Sequence, residues 1–355
     1  MIKDLIKQLW KDKFARIALI LLGLIYFALF FADFIAPYTK DFSDRSMAYV
    51  PPSKIFVIDE NRKISMPYTY NYKREFDDEN LKITYNLDRT EKHYIKFFSK
   101  GQPYKFLGVI PLQHHLVTTD KEGRLFLLGT DINGRDVFSR ILFGGRISMT
   151  IGFLALFILF PIGLLYGGIA GYFGGKTDIF MMRFAEAVMS IPSFYLLIIL
   201  ASILPSGMTS IQRFMLIVII LALIGWAGFA RVVRGMVLSV KNQEFVSSAK
   251  TIGASNLRII IKHILPQTTS FVIVAMTLSV PSYILSESGL SFLGLGIQQP
   301  DASWGNMLKE AQEYTNIIYR PWLLTPGFLI FIAVLAFNLI GDTIRDILDP
   351  KSKVR

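Results

Sequence analysis

Six long apolar runs constrain this chain more than any other feature: Phe14 to Ala36, Ile147 to Ala170, Phe184 to Ile203, Phe214 to Ala230, Thr268 to Leu285 and Trp322 to Ile340. Each approaches the roughly 20 residues that a helix needs to cross a bilayer core. Backbone in hydrocarbon must satisfy its own hydrogen bonds, so runs of this length are expected to be helices. The composition agrees, with 52% hydrophobic residues and 29 Phe in 355 positions. The expected fold class is an all-α polytopic membrane protein.

The charge pattern orients it. A formal charge of +11 does not point to nucleic acid, because a multi-spanning chain gathers Lys and Arg on cytoplasmic loops for topological reasons. From Arg231 to Pro266 the basic residues Arg231, Arg234, Lys241, Lys250, Arg258 and Lys262 face Glu244 alone, which marks a cytoplasmic loop. Between Glu287 and Arg320, the acidic Glu287, Asp301, Glu310 and Glu313 outnumber Lys309 and Arg320, which marks an external one. The first run follows Lys3, Lys7, Lys11, Lys13 and Arg16 but is too long for a signal h-region, so it reads as a retained anchor. Both termini are therefore expected in the cytoplasm. The absence of cysteine rules out disulfides and thiolate chemistry.

Residues 37–127 contain no spanning run. Stretches such as KIFVIDENRKISMPY alternate apolar and polar residues around a turn-rich DEN, the mark of hairpin strands, so a small, largely β extracytoplasmic insert is expected between the first and second helices. His114 and His115 fall here and read as surface residues rather than a metal site, since no Cys or spaced acid accompanies them.

The loop between the fourth and fifth runs is polar, broken by Gly253 and ended by Pro266. Phe245, Ala249 and Ile252 recur at spacings of four and three, which predicts a short helix with an apolar face. After the break, Ser255 can cap a second helix carrying the stripe Leu257, Ile260, Ile261 and Ile264, expected to stop before Pro266. Such a pair is either an amphipathic element resting on anionic lipid or a docking element that moves two spans together.

SSAKTIGASNLRIIIKHILP resembles the EAA loop of ABC importer permeases through Ala249, Gly253, Leu265 and Pro266, although Ser247 replaces the usual Glu and Ser248 the first Ala. LGTDINGRDVFSRILFGGRISM from Leu128, GYFGGKTDIFMMRFAEAVMSIP from Gly171 and LSESGLSFLGLGIQQPDASWGNML from Leu285 look like the C-type permease subunit of the oligopeptide, dipeptide and nickel importers. The resemblance implies a type I importer core of six transmembrane helices in a bacterial inner membrane, at residues 128–346, after the cytoplasmic N-terminus and anchor 1–36. Residues 240–266 would be its coupling loop and 347–355 a cytoplasmic tail. It further implies half of a pathway for short peptides, completed by a second homologous permease in a heterodimer. Two ATPase subunits would dock on the loop, and an extracytoplasmic binding protein would deliver substrate. The coupling residues would be Glu244, Phe245, Ser247, Ala249, Ile252, Gly253, Leu257 and Pro266. No cofactor, metal or catalytic residue is implied. Nickel or another small solute is the alternative cargo.

Three further features bear on function. Ala170 to Thr177 fits a relaxed Walker A pattern, but it lies between two spans, where no strand can precede it, so it reads as a tight cytoplasmic turn with Asp178 capping the next helix. Glu287, Ser288 and Ser291, at the outer end of the fifth run, are candidate pathway-lining residues, and Glu186 belongs at an interface or in the conduit. Pro161, Pro192 and Pro281 interrupt spans as kinks or hinges. A secondary transporter would need charges at mid-membrane, and an enzyme a clustered constellation such as HExxH; the runs hold neither.

Overall fold

A computed structural model describes residues 2–59, 63–77, 82–120, 122–205 and 207–348. In chain order the elements are α1 (Ile2–Lys11), α2 (Lys13–Phe30) and α3 (Ala32–Ile35), then strands β1 (Phe56–Ile58), β2 (Ile64–Asp77), β3 (Lys82–Tyr94), β4 (Lys96–Phe106) and β5 (Ile110–Thr118). Helices α4 (Val137–Phe173), α5 (Gly175–Met189), α6 (Ser193–Ser202), α7 (Ser210–Val240), α8 (Glu244–Thr251) and α9 (Asn256–Ile259) follow. The chain closes with α10 (Thr269–Phe292), α11 (Trp304–Leu308), α12 (Tyr314–Tyr319) and α13 (Thr325–Leu348).

Among the described residues, five helices are long and apolar enough to cross a membrane: α2, α4, α7, the winding from Asn256 to Phe292 and that from Pro321 to Leu348. The third expected run is not one straight helix. α5 and α6 pass only as a pair bent by 74°, because Pro192, itself extended at ψ 121°, also drives the residue before it out of helical geometry. Pro161 and Pro281 lie inside continuous α4 and α10. The expected stop at Pro266 is absent as well. After α9 the backbone widens into a π-helical stretch, Ile260–Ile264, then tightens into the 3-10 turn Leu265–Thr268, with Pro266 near its start, where a missing N–H costs little.

Two compact units divide the chain. The first comprises Met1–Leu22, Met149–Leu290 and Ile330–Arg355. Within it, Gly163, Gly167 and Gly171 recur every fourth residue of α4 and bring its backbone against α7. A Cβ at Gly167 would stand 2.3 Å from the Ala230 carbonyl oxygen, and one at Gly171 2.8 Å from that of Arg234. Small residues at this spacing allow close helix approach in a membrane, where packing rather than hydrophobicity drives association. α7 itself opens with a capping box, in which Thr209 Oγ1 accepts from Gln212 N and Gln212 Oε1 from Thr209 N.

The second unit comprises Gly23–Ser148 and Ser291–Leu329. The expected β insert is present as an antiparallel sheet β1-β2-β3 and a separate hairpin β4-β5. Of Asp59, Glu60 and Asn61, the turn residues of the first predicted hairpin, Glu60 and Asn61 lie outside the described residues. Tyr38, Val50, Tyr72 and Phe126 form a buried core at the base of the insert. Its ends pair with the segment that follows: Tyr49 N donates to Asp131 O at 3.0 Å and Thr130 N to Val50 O at 2.9 Å. Arg146 closes the end of α2, its Nε donating to Leu29 O at 2.6 Å and its Nη2 to Phe30 O at 2.9 Å, while pairing with Asp33 at 2.7 Å. These are carbonyls that a helix C-terminus leaves unsatisfied.

Candidate functional site

The loop after α7 is a seated helical hairpin. Val246 and Ala249 of α8 join Ile259, Ile260 and Ile264 in a buried cluster with Tyr172, Val233 and Val237. The face expected to be Phe245, Ala249 and Ile252 therefore splits. Phe245 is half-buried against the cluster and Ala249 only 7% exposed, whereas Ile252 lies past the end of α8 and is 85% exposed. The stripe of the second helix is displaced too: Ile259 joins Ile260 and Ile264 on the inner face, while Leu257 and Ile261 turn outward. Leu257 is left 56% exposed.

Between the helices Gly253 adopts φ +84°, and a Cβ there would meet no heavy atom within 4 Å. The glycine is needed for its left-handed backbone rather than for space. Ser255 occupies the N-cap position of α9 without a side-chain capping bond. Glu244, Ser247, Gly253 and Pro266 are exposed. The outward surface of the loop is thus Glu244, Ser247, Ile252, Gly253 and Leu257, an apolar tip with a polar flank.

Asp178 does not cap α5, whose N-cap is Gly174 at φ +67°. It accepts from Arg234 Nε of α7 at 2.9 Å, in a bidentate pair completed by Arg234 Nη2. Lys241 Nζ donates to Gly171 O at 3.0 Å. The Walker-like glycines accordingly form the expected tight turn, between α4 and α5, with helix rather than strand before it.

Glu287 and Ser288 are buried within the first unit, with Ser288 Oγ 3.5 Å from Glu287 Oε2. Ser291 is buried in the second, its Oγ accepting from Ile297 N at 3.0 Å. All three candidate pathway residues are thus buried within the chain. Glu186 is exposed and pairs with Arg183 at 3.0 Å. His114 is exposed as expected, but His115 is buried, with ring nitrogens 2.7 Å from Ala36 O and 2.8 Å from Gln102 O.

A charged network was not anticipated. Asp131 Oδ1 accepts from the backbone N–H groups of Asn133 and Arg135 at 2.9 and 3.0 Å, and its Oδ2 from Arg135 Nε at 2.7 Å. Arg140 Nε stands 3.4 Å from the same Oδ2, and both arginines reach the Gln299 side chain. Glu310 accepts from Ile132 N at 3.2 Å and lies 3.7 Å from Arg135 Nη2, an ion pair too long to be a hydrogen bond. Burial, with the Asp131 charge nearby, pushes Glu310 up to about 7; burial pushes Asp136 up to about 7 as well. The network latches the segment after the insert to Gln299 before α11 and Glu310 after it. Its signal in the sequence was the spacing of four between Asp131 and Arg135.

Long apolar helices and a helical hairpin seated at the ends of two of them define a multi-pass membrane protein. Residues 163–354, more than half of the chain, match the family described as binding-protein-dependent transport system inner membrane component, and residues 1–52 match the N-terminal TM domain of oligopeptide transport permease C. The chain belongs to the binding-protein-dependent transport system inner membrane component family. It is 46% identical over 225 residues to the dipeptide transport system permease protein DppC of Bacillus subtilis, covering 63% of this chain and 68% of that one. It is 45% identical over 226 residues to the oligopeptide transport system permease protein OppC of Haemophilus influenzae, covering 63% and 70%. To the glutathione transport system permease protein GsiD of Escherichia coli O157:H7 it is 42% identical over 226 residues, covering 63% and 72%.

Proposed function

We propose that the chain is the permease subunit of an ATP-driven importer and supplies half of a pathway for short peptides. A second, homologous permease completes the pathway, two ATPase subunits dock beneath, and an extracytoplasmic binding protein delivers the cargo. The chain contributes no catalytic group; hydrolysis belongs to the ATPases. Both termini lie in the cytoplasm and the insert 37–127 outside, with the core at 128–346 and the coupling loop at 240–266. The names of the relatives favour peptides over nickel as cargo.

The observation that carries this reading is the exposed pair Ile252 and Leu257 around Gly253, on a hairpin whose inner face is locked to α4 and α7. A partner gripping that tip displaces α7 and α10 together, because no flexible linker separates the hairpin from either helix. The test is Ile252→Asp and Leu257→Asp in the assembled importer, read by ATPase co-purification and substrate-stimulated hydrolysis. Each substitution is expected to weaken docking about tenfold or more, equivalent to about 1.4 kcal/mol, with the melting temperature unchanged. Wild-type levels of both readouts would return the loop to an element resting on lipid.

A further inference from the structure

The β4-β5 hairpin ends in a turn that water does not favour. Leu107 at φ +50° and Gly108 at φ +78° are the central pair of a turn closed by Val109 N donating to Phe106 O at 3.1 Å, within a three-residue connection between the strands. Such turns select Asn-Gly, since both positions need the left-handed region. A leucine there strains its backbone and presents an apolar side chain outward. Its neighbours Val109 and Ile110 are also exposed, Val109 to 77%.

The location of the tip decides what covers it. The Phe106 ring lies 5.8 Å from Phe30 and 6.0 Å from Phe31, and Phe98 lies 5.9 Å from Phe34. Leu107 N donates to Asp33 Oδ2 at 3.2 Å. The hairpin therefore lies along the last turns of α2 and α3. With 18 residues, α2 is about 27 Å long, no longer than the roughly 30 Å hydrocarbon core it must cross. Its final turn cannot stand clear of the membrane, and a side chain level with Phe30 is at the boundary between headgroups and acyl chains.

The surfaces are continuous. An apolar groove of about 530 Å³, lined by Phe27, Phe31, Phe34, Phe98, Phe106 and Leu112, opens beside the face of α2, whose apolar window is only 22% buried by the rest of the chain. Residues 96–118 carry Lys96, Lys100 and Lys105, all exposed, and no carboxylate. Aromatic rings beside lysines are the composition of an interfacial belt facing anionic lipid.

We propose that the β4-β5 hairpin is a membrane anchor: its tip, Phe106 to Ile110, enters the leaflet at the C-terminal end of the first span, and the groove takes lipid acyl chains. The strained leucine is then explained, because the turn is built for hydrocarbon and not for water.

The test uses the absence of native cysteine. Val109→Cys and His114→Cys, both at exposed positions, are labelled with an environment-sensitive fluorophore in the assembled importer. The importer is reconstituted in phosphatidylethanolamine–phosphatidylglycerol vesicles with or without a lipid spin-labelled at a shallow acyl carbon. The Val109 label is expected to lose roughly half of its emission, as for a group seated within about 5–10 Å of the headgroup boundary, while the His114 label, farther up the strand, loses far less. Equal quenching at both positions overturns the proposal, as does none at Val109. Quenching of the isolated subunit that vanishes in the complete importer also overturns it, since a partner protein then covers the tip.

Discussion

Arg234 on α7 holds Asp178 on α5 through both of its forks, and the carboxylate is 10% exposed against 34% for the guanidinium. The pair joins the turn after α4 to the helix that leads into the exposed loop. Asp178→Ala is expected to cost about 1–2 kcal/mol in detergent-solubilised protein, less than a fully buried pair would lose because water still reaches the arginine. A double-mutant cycle with Arg234→Ala should return a coupling of about 1 kcal/mol; strict additivity would show that the two residues act separately.

Gly167 faces the α7 backbone so closely that a methyl group must displace the Ala230 carbonyl. Gly167→Ala is expected to lower stability by about 1–3 kcal/mol through overpacking. Gly235, where an added methyl group would meet nothing within 4 Å, serves as the control, and Gly235→Ala should be neutral or stabilising by helix propensity. Equal melting temperatures for the two variants would contradict the close approach.

Ala249 and Gly253 should fail for different reasons. Ala249→Asp buries a carboxylate in the cluster of Val246, Ile259 and Ile264, so it should lower the stability of the chain itself by on the order of 3 kcal/mol. Gly253→Ala should cost about 1–2 kcal/mol, the penalty of a left-handed residue, and Gly253→Asn distinctly less. Thermal unfolding without any partner present distinguishes these effects from a loss of docking.

Asp136 has a buried Oδ1 without a hydrogen-bond partner among the described residues, while its Oδ2 accepts from Ser139 N and Oγ at 2.7 and 2.6 Å. Its carboxyl is raised to about 7 from 3.8. The folded state therefore binds more protons than the unfolded one between about pH 4 and 7, so stability falls as pH rises through that window. Asp136→Asn should remove this loss and stabilise the protein at pH 8, by up to about 4 kcal/mol for a shift of this size, while leaving pH 4 little changed. Melting curves at the two pH values check it, and parallel curves for both proteins would show that Asp136 does not titrate in this range.

Orientation is open to labelling in right-side-out vesicles. A cysteine at His114 should react with an impermeant maleimide, and one at Lys250 only after the membrane is opened. The reverse pattern would invert the proposed topology.

Hydrophobic patterning alone determined that the chain crosses a membrane several times, that a β insert separates the first two helices and that a helical hairpin follows α7. Those conclusions need only run length and period, which are local properties of the chain. The faces were not legible. Phe245, Ala249 and Ile252 share a helical spacing, yet which of them meets the protein depends on where α8 ends and on the partners that Tyr172, Val233 and Val237 supply from distant positions. In the second stripe Ile259 turns inward in place of Leu257 and Ile261, and the single turn of π-helical winding that begins at Ile260 leaves no mark in a periodicity count. The bend at Pro192, the pairing of Asp178 with Arg234 and the latch around Asp131 likewise depend on residues that meet only in three dimensions. A charge on a sequence declares that it needs a partner or water, but only the packed chain decides which of the two it receives.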